Sequence, residues 1–379
     1  MADVYITRTS SFLPNEPVSN DEIESFLGMI GEEASKSKRI VLRNNGIKNR
    51  YYAIDRSGNA THSNAEMVAL AIKDLVKDPA ELKQIELISC GTSTPDQLMP
   101  SHAVMVHGYL PESGNIEVVS PSGVCCSGMH AFKYGFMALK LGLVKKAVCT
   151  GSERLSRLLH ADQYEVEHQK MQALEENPII AFEKDFLRFM LSDGAGSFLL
   201  EPEKPKDGHS LKVEWIECFS FANEADVCMY MGADKDDHGK LKSFQDFSPE
   251  EIAGGSVMSI KQDVKILGEN IVSLGFSRMS TLLLEKGIRG EDIDFFLPHM
   301  SSYYFQDKIQ KALADCGLDI PEEKWFTNLE TMGNVGAGSI YLMVDELMKS
   351  GRLKIGDKIL LAVPESARFS YVVALLEVC

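Results

Sequence analysis

The sequence predicts an α/β protein, on three observations. Apolar runs of strand length alternate with segments whose apolar residues recur every three or four positions. The alternation is made twice in a similar order and ends in a closing pair of strands. The chain of 379 residues is longer than one core usually serves, so two domains or one duplicated unit is expected. Pro202 to Gly208 is the best linker, and it divides a first half, 1–205, from a second, 206–379.

Composition narrows the function classes. Hydrophobic residues make up 44% and charged residues 25%, as in a soluble globular protein. A net charge of −16 argues against a nucleic-acid partner. Eight cysteines without a C-x-x-C pair predict reduced thiols rather than a disulfide scaffold. Met1 to Leu13 lacks the basic start and apolar run of a secretion signal, and no apolar stretch reaches the roughly 18 residues of a membrane span. A cytoplasmic protein without a metal or redox cofactor is expected.

In the first half, Val4-Tyr5-Ile6 is a strand. Ser19 with Glu22 forms a capping box before Ile23, Phe26 and Leu27. Residues 36–50 are basic in an acidic chain: Lys36, Lys38, Arg39, Arg43, Lys48 and Arg50. They are either a solvated face or a landing surface for coenzyme A phosphates or an acidic carrier protein. Asn64 to Leu75 is a helix, Leu87 to Cys90 a strand running into the turn Gly91 to Pro95, and Ser101 to Leu110 a helix. Ile116 to Ser120 reads as a buried strand before Val124-Cys125-Cys126-Ser127-Gly128-Met129. Met129, Phe132, Phe136, Leu139 and Leu143 then recur at helical spacing. A cysteine thus sits where a loop becomes a buried helix. The helix N-terminus favours a thiolate, and a thiolate can hold an acyl group as a thioester. A small core cysteine under a tight turn fits the same stretch. Lys146 to Gly151 is a strand ending at Ser152-Glu153-Arg154, where ligand-facing residues of parallel sheets gather. Glu153 is equally readable as a surface carboxylate paired with Arg154. Residues 155–190 are charged and helix-prone, an elaboration able to cover a cleft. Tyr51, Phe182, Phe186 and Phe189 fit a hydrophobic tunnel or ordinary core. Ser192 to Ser197 is a glycine loop opening the strand Phe198 to Leu200.

In the second half, Leu211 to Ile216 restarts strand structure. Asp234 to His238 has no calcium-loop spacing and reads as a solvated loop. Ser248-Pro249-Glu250-Glu251 starts a helical region predicted to run to Lys286. Asp294 to Pro298 is a buried strand delivering His299, and Ser302 to Asp315 is helical. Thr331 to Ser339 is a second glycine-rich turn, holding Asn334 and entering the helix Ile340 to Met348. Lys358 to Val363 and Tyr371 to Val378 are strands on either side of Pro364-Glu365-Ser366-Ala367-Arg368-Phe369.

Three residues stand at the ends of buried elements: Cys126, His299 and Asn334. Val-Cys-Cys-Ser-Gly at a helix start, Leu-Pro-His after a strand and Gly-Asn-x-x-Ala-x-Ser into a helix, in that order, resemble the ketoacyl synthase III branch of the thiolase superfamily. Asp193 to Gly196, Gly151 to Glu153 and Gly46 to Arg50 are similar to that family as well, so the resemblance covers essentially the whole chain. It implies a five-layered αβαβα fold of two similar halves and a homodimer. It implies Cys126, directly before Ser-Gly, as acyl-accepting nucleophile, with Cys125 the rival. His299 and Asn334 would be the pair that hydrogen-bonds the second substrate's thioester carbonyl, so two neutral donors stabilise an enolate oxygen. Coenzyme A or phosphopantetheine thioesters would be substrates, an acyl carrier protein or acyl-CoA the partner, and Lys38, Arg39, Arg43 and Arg50 the binding surface.

Two departures matter. Pro-His-Met-Ser-Ser replaces the family's Pro-His-Gln-Ala-Asn, and residues 364–369 replace a glycine-rich turn that lends an amide to the oxyanion hole. The Pro-Glu-Ser-x-Arg-Phe feature, Phe-Leu-Pro-Asn-Glu-Pro and Asn-Gly-Ile-Lys-x-Arg-Tyr-Tyr resemble the cyclohexanedione-forming ketosynthases of dialkylresorcinol and stilbene pathways. That subgroup implies joining a β-ketoacyl thioester to an α,β-unsaturated one, giving a 2,5-disubstituted cyclohexane-1,3-dione. Glu153 and Arg368 are expected to assist its proton transfers as a carboxylate–guanidinium pair. The alternatives are a decarboxylating synthase using acyl-CoA and malonyl-carrier protein, a cysteine-dependent acyltransferase, and a non-catalytic dimer partner.

Overall fold

The computed structural model describes residues 2–164, 185–236, 238–254 and 257–379. The first half builds β1 (Tyr5–Phe12), α1 (Lys38–Asn45), α2 (Asn64–Leu75), β2 (Leu87–Gly91), α3 (His102–Gly108), β3 (Glu117–Val119), α4 (Ser127–Lys140), β4 (Ala147–Glu153) and β5 (Gly194–Glu201). The second builds β6 (Leu211–Ser220), short β7 (Met229–Tyr230) and β8 (Lys261–Gln262), α5 (Val264–Asn270), α6 (Ser273–Glu285), β9 (Phe295–Pro298), α7 (Gln306–Asp315), α8 (Ser339–Lys349), β10 (Lys358–Glu365) and β11 (Ser370–Val378).

Nine strands hydrogen-bond in one mixed sheet, ordered β9-β10-β11-β6-β1-β5-β4-β2-β3. The order repeats. In the first half β3, β2 and β4 run parallel, β5 is antiparallel to β4, and β1 closes the set. In the second half β9 and β10 run parallel, β11 is antiparallel to β10, and β6 closes the set. Where β3 stands beyond β2, Trp325 makes a parallel bridge beyond β9, at Phe296. The two sets join where β1 meets β6, at Tyr5↔Lys212 and Ile6↔Leu211. This is the expected α/β fold of two similar halves.

Two central helices organise the core. Met129, Phe132 and Leu139 of α4 and Ile340, Tyr341 and Val344 of α8 share one buried cluster with the strands. Their starts abut closely enough to require glycine: a Cβ at Gly128 would lie 2.4 Å from the Ala337 carbonyl oxygen, and one at Gly151 2.1 Å from it. The Tyr341 hydroxyl donates to the Gly128 carbonyl at 2.8 Å. On the outer faces, α2 and α3 pack with one cluster and α6 and α7 with another.

Several elements differ from the sequence expectation. β3 is a sheet edge of three residues with Glu117 exposed, not a buried strand. α4 stops at Lys140 and leaves Leu143 exposed. The glycines of Gly194 to Gly196 lie inside β5, not in a loop; Gly196 makes room for Tyr341 of α8, whose Cβ would sit 2.4 Å from an added Cβ. The helical region after Ser248 is broken: β8 pairs with β7, and the Asp263 carboxylate then accepts the Lys265 and Ile266 amides to start α5 afresh. Ala233–Lys235 is a strand of a small hairpin rather than solvated loop; Asp237 lies outside the described residues, as does most of 155–190, Phe182 included.

Candidate active site

A cavity of about 250 Å³ opens where the starts of α4 and α8 meet the ends of β4, β9 and β10. Cys125, Glu153, His299 and Asn334 line it together. These residues are far apart in sequence and come from both halves. Met190, Leu191, Ile260, Leu267 and Ile271 make its wall apolar, and β7 contributes Met229 and Tyr230. Of the aromatics weighed for a tunnel, Phe189 is core and Phe186 packs against it; neither they nor Tyr51 line the cavity.

The cysteine turn sets its two thiols in different surroundings. Cys126, at the N-cap of α4, is wholly buried in the hydrophobic cluster, and its Sγ donates to the Val363 carbonyl at 3.3 Å. It does not line the cavity; Cys125, one residue earlier and partly exposed, does. The turn is closed by Ser127 N–H on Val124 O at 3.0 Å, and Cys125 packs at the edge of the cluster that buries Cys126. Burial pushes both thiols well above their ordinary value, and the Glu365 carboxylate adds to it.

His299 follows β9, its backbone N–H tied to Ala362 O at 2.8 Å. Burial pulls its imidazole down to about 4, so at neutral pH it is uncharged and carries one N–H donor. Asn334 is held from both sides. Its backbone donates to Met190 O at 3.1 Å and accepts from Ser192 N–H at 2.9 Å, while its Oδ1 accepts from Gly336 N–H at 2.9 Å. That leaves the side-chain NH₂ for the cavity. Two neutral donors therefore face the space beside Cys125, as stabilising a developing oxyanion requires.

Glu153 is not a surface carboxylate. It is fully buried at the end of β4, while Arg154 pairs with Asp96 at 3.1 Å. Its carboxylate accepts from Ser93 Oγ (2.7 Å), Thr94 Oγ1 (2.6 Å), Ser93 N–H (3.1 Å) and Ala337 N–H (3.3 Å). Burial raises it to about 7 against those hydrogen bonds, which lower it. A carboxyl poised there can take or return a proton near neutral pH. The segment after Glu153 is pinned by Asp193, which accepts the Leu155 amide and, at 2.9 Å, the Ser156 amide.

Residues 283–376, which hold His299, Asn334 and the 364–369 turn, match the family model for the 3-oxoacyl-[acyl-carrier-protein] synthase III C terminal. Over 350 residues the chain is 25% identical to a beta-ketoacyl-[acyl-carrier-protein] synthase III of Clostridium perfringens, covering 92% of each. The chain is a synthase III-like condensing enzyme. Solved structures agree in fold: AbyA1, a tetronic acid condensing enzyme, superposes with a TM-score of 0.75 at 19% identity over 99% of both chains. OleA of Xanthomonas campestris gives a TM-score of 0.75 at 17% identity, over 99% of this chain and 98% of that one.

In this condensing enzyme Arg368 is not beside Glu153. It is exposed, outside the cavity, and its Nε donates to Ala225 O at 3.1 Å. With Ala367 O, which accepts the Cys228 and Met229 amides at 2.9 and 3.2 Å, it ties the 364–369 turn to the segment leading into β7. The residue of this turn that reaches the cysteines is Glu365, whose Oε2 accepts the Val124 and Cys126 amides at 3.0 and 3.1 Å. No sequence motif marks it; its one signal is its place at a strand end, like Glu153. Arg50 is no landing residue either. It is wholly buried, its guanidinium on Phe189 O and on Asn20 Oδ1 at 2.6 Å. Lys38 pairs with Glu24 at 2.8 Å, whereas Arg39 and Arg43 are exposed on α1 and Lys36 just before it.

Proposed function

We propose that the enzyme forms a ring: it condenses a β-ketoacyl thioester with an α,β-unsaturated acyl thioester to a 2,5-disubstituted cyclohexane-1,3-dione, the precursor of a dialkylresorcinol-type product. The observation that carries this reading is Glu153, a buried carboxyl poised near neutrality in the same cavity as a thiol and two neutral donors. A decarboxylating synthase makes its carbon nucleophile by losing CO₂; joining two uncarboxylated acyl groups needs a base. The 364–369 turn, with its likeness to the cyclohexanedione-forming subgroup, supports the same choice.

Cys125 holds the enoyl group as a thioester. Glu153 takes the acidic proton between the two carbonyls of the β-ketoacyl partner. The carbanion adds to the enoyl β-carbon, the electron pair moves to the thioester oxygen facing His299 and Asn334, and the proton returns to the α-carbon. A second deprotonation, on the far side of the ketone, lets that carbon attack the Cys125 thioester. The ring closes and the thiolate leaves. The partner's own thioester is lost with one water as free thiol and CO₂. Both acyl groups arrive on coenzyme A or a phosphopantetheine carrier, with Lys36, Arg39 and Arg43 as the anion-facing surface. The working unit is a cytoplasmic homodimer.

A product assay by mass spectrometry tests this. One reaction holds a β-ketoacyl plus a 2-enoyl thioester, the other an acyl-CoA plus malonyl-carrier protein. The expected result is a cyclic dione from the first. A linear β-ketoacyl product from the second alone would return the enzyme to decarboxylating chemistry.

A further inference from the structure

Glu365 ends β10, and its buried carboxylate rests on the Val124 and Cys126 amides, within the turn that carries both thiols. Backbone amides at the start of a buried helix are an anion site, and α4 has 14 residues behind them. In this chain the anion is internal. The approach is close: a Cβ at Gly123 would lie 3.4 Å from Glu365 Oε2. We infer that Glu365 is a positioning residue, an internal anion that braces the cysteine turn and holds its thiols in the neutral form.

Charge supports the geometry. A fixed carboxylate beside a thiol disfavours a second negative charge, and here it also occupies amides that would otherwise favour a thiolate. Among the described residues, few other titratable groups surround the cysteine pair. Glu153 reaches Cys125 from the end of β4, and His299 faces the cavity from the end of β9. His130 lies near Glu365 on α4, while Cys218 of β6 and Tyr371 of β11 lie behind Cys126. Glu365 acts on both thiols, and it is the largest charge acting on each after burial. A conserved hydrogen bond with the charge removed should therefore free the thiol to ionise.

The inference rests on a thiol of this turn as the acyl acceptor, but its test needs no substrate. The pH dependence of iodoacetamide alkylation at Cys125, read by peptide mass spectrometry, is compared in wild type, Glu365→Gln and Glu365→Asp. Glutamine keeps an acceptor for the amides and removes the charge, so the midpoint should fall by roughly one pH unit or more. Aspartate keeps the charge nearby, so its midpoint should stay close to wild type. An unchanged midpoint in a folded Glu365→Gln protein would overturn the inference. So would an aspartate variant that shifts as far as glutamine, because the effect would then belong to the brace and not to the charge. Ring formation can fail in the product assay with this result intact, and the reverse also holds.

Discussion

Glu153 and Glu365 occupy matching places in the two halves. Each ends the strand that lies between a parallel neighbour and an antiparallel one, β4 and β10. Each crosses to the start of the other half's central helix: Glu153 accepts the Ala337 amide before α8, and Glu365 accepts the Cys126 amide before α4. Their surroundings then diverge. Glu153 gains Ser93 and Thr94 and faces the cavity; Glu365 grips two amides and stays behind the cavity wall. One backbone plan thus yields a proton-transfer group on one side and a brace on the other, and the difference lies in what the neighbouring loop supplies.

The largest test of that difference is Glu153→Gln. Removing a general base costs on the order of 10²–10⁴ in rate, so ring formation should fall by at least about a hundredfold while acylation of the thiol persists. Loss of acylation as well would place Glu153 with the nucleophile instead. The pH dependence carries a sign. Glu153 titrates near 7 in the folded protein and near 4.5 as a free side chain. Between those values the folded state holds the extra proton, so stability falls as pH rises through that window, by about 3 kcal/mol in all. Chemical denaturation from pH 4.5 to 7.5 should show this loss, and Glu153→Gln should flatten it. Ring formation should rise over the same range, since only the ionised carboxylate is a base.

The smallest effect is expected at Arg368. Its exposed hydrogen bond to Ala225 O holds a loop and touches no cavity atom, so Arg368→Ala should change the rate less than about threefold and stability by about 1 kcal/mol at most. A loss comparable to that of Glu153→Gln, in steady-state assays of the two proteins, would show that the turn moves Arg368 inward during the reaction.

Much of this was legible in the chain. Strand and helix periodicity marked nearly every element of the repeated sheet, and His299, Asn334 and Glu153 were visible because each sits where a buried strand or glycine turn ends. What the sequence could not resolve is which way side chains turn at those ends. Cys125 and Cys126 are neighbours in one motif, and only the fold separates them: Cys125 lines the cavity while Cys126 is buried in the adjoining cluster. Arg368 is the conspicuous charge of its segment in the sequence, yet in the β10–β11 turn it is exposed on Ala225 O while Glu365 reaches the cysteine turn. Arg50 stands in a basic run, but the Phe189 carbonyl and the Asn20 side chain take up its guanidinium.

The most direct measurement is peptide mapping of the acyl-enzyme formed with a 2-enoyl thioester, in wild type, Cys125→Ser and Cys126→Ser. The structure predicts an acyl group on Cys125, lost in Cys125→Ser and retained in Cys126→Ser. Acylation of Cys126 in wild type, surviving in Cys125→Ser, would contradict the account, because the turn would have to present its buried thiol to the cavity.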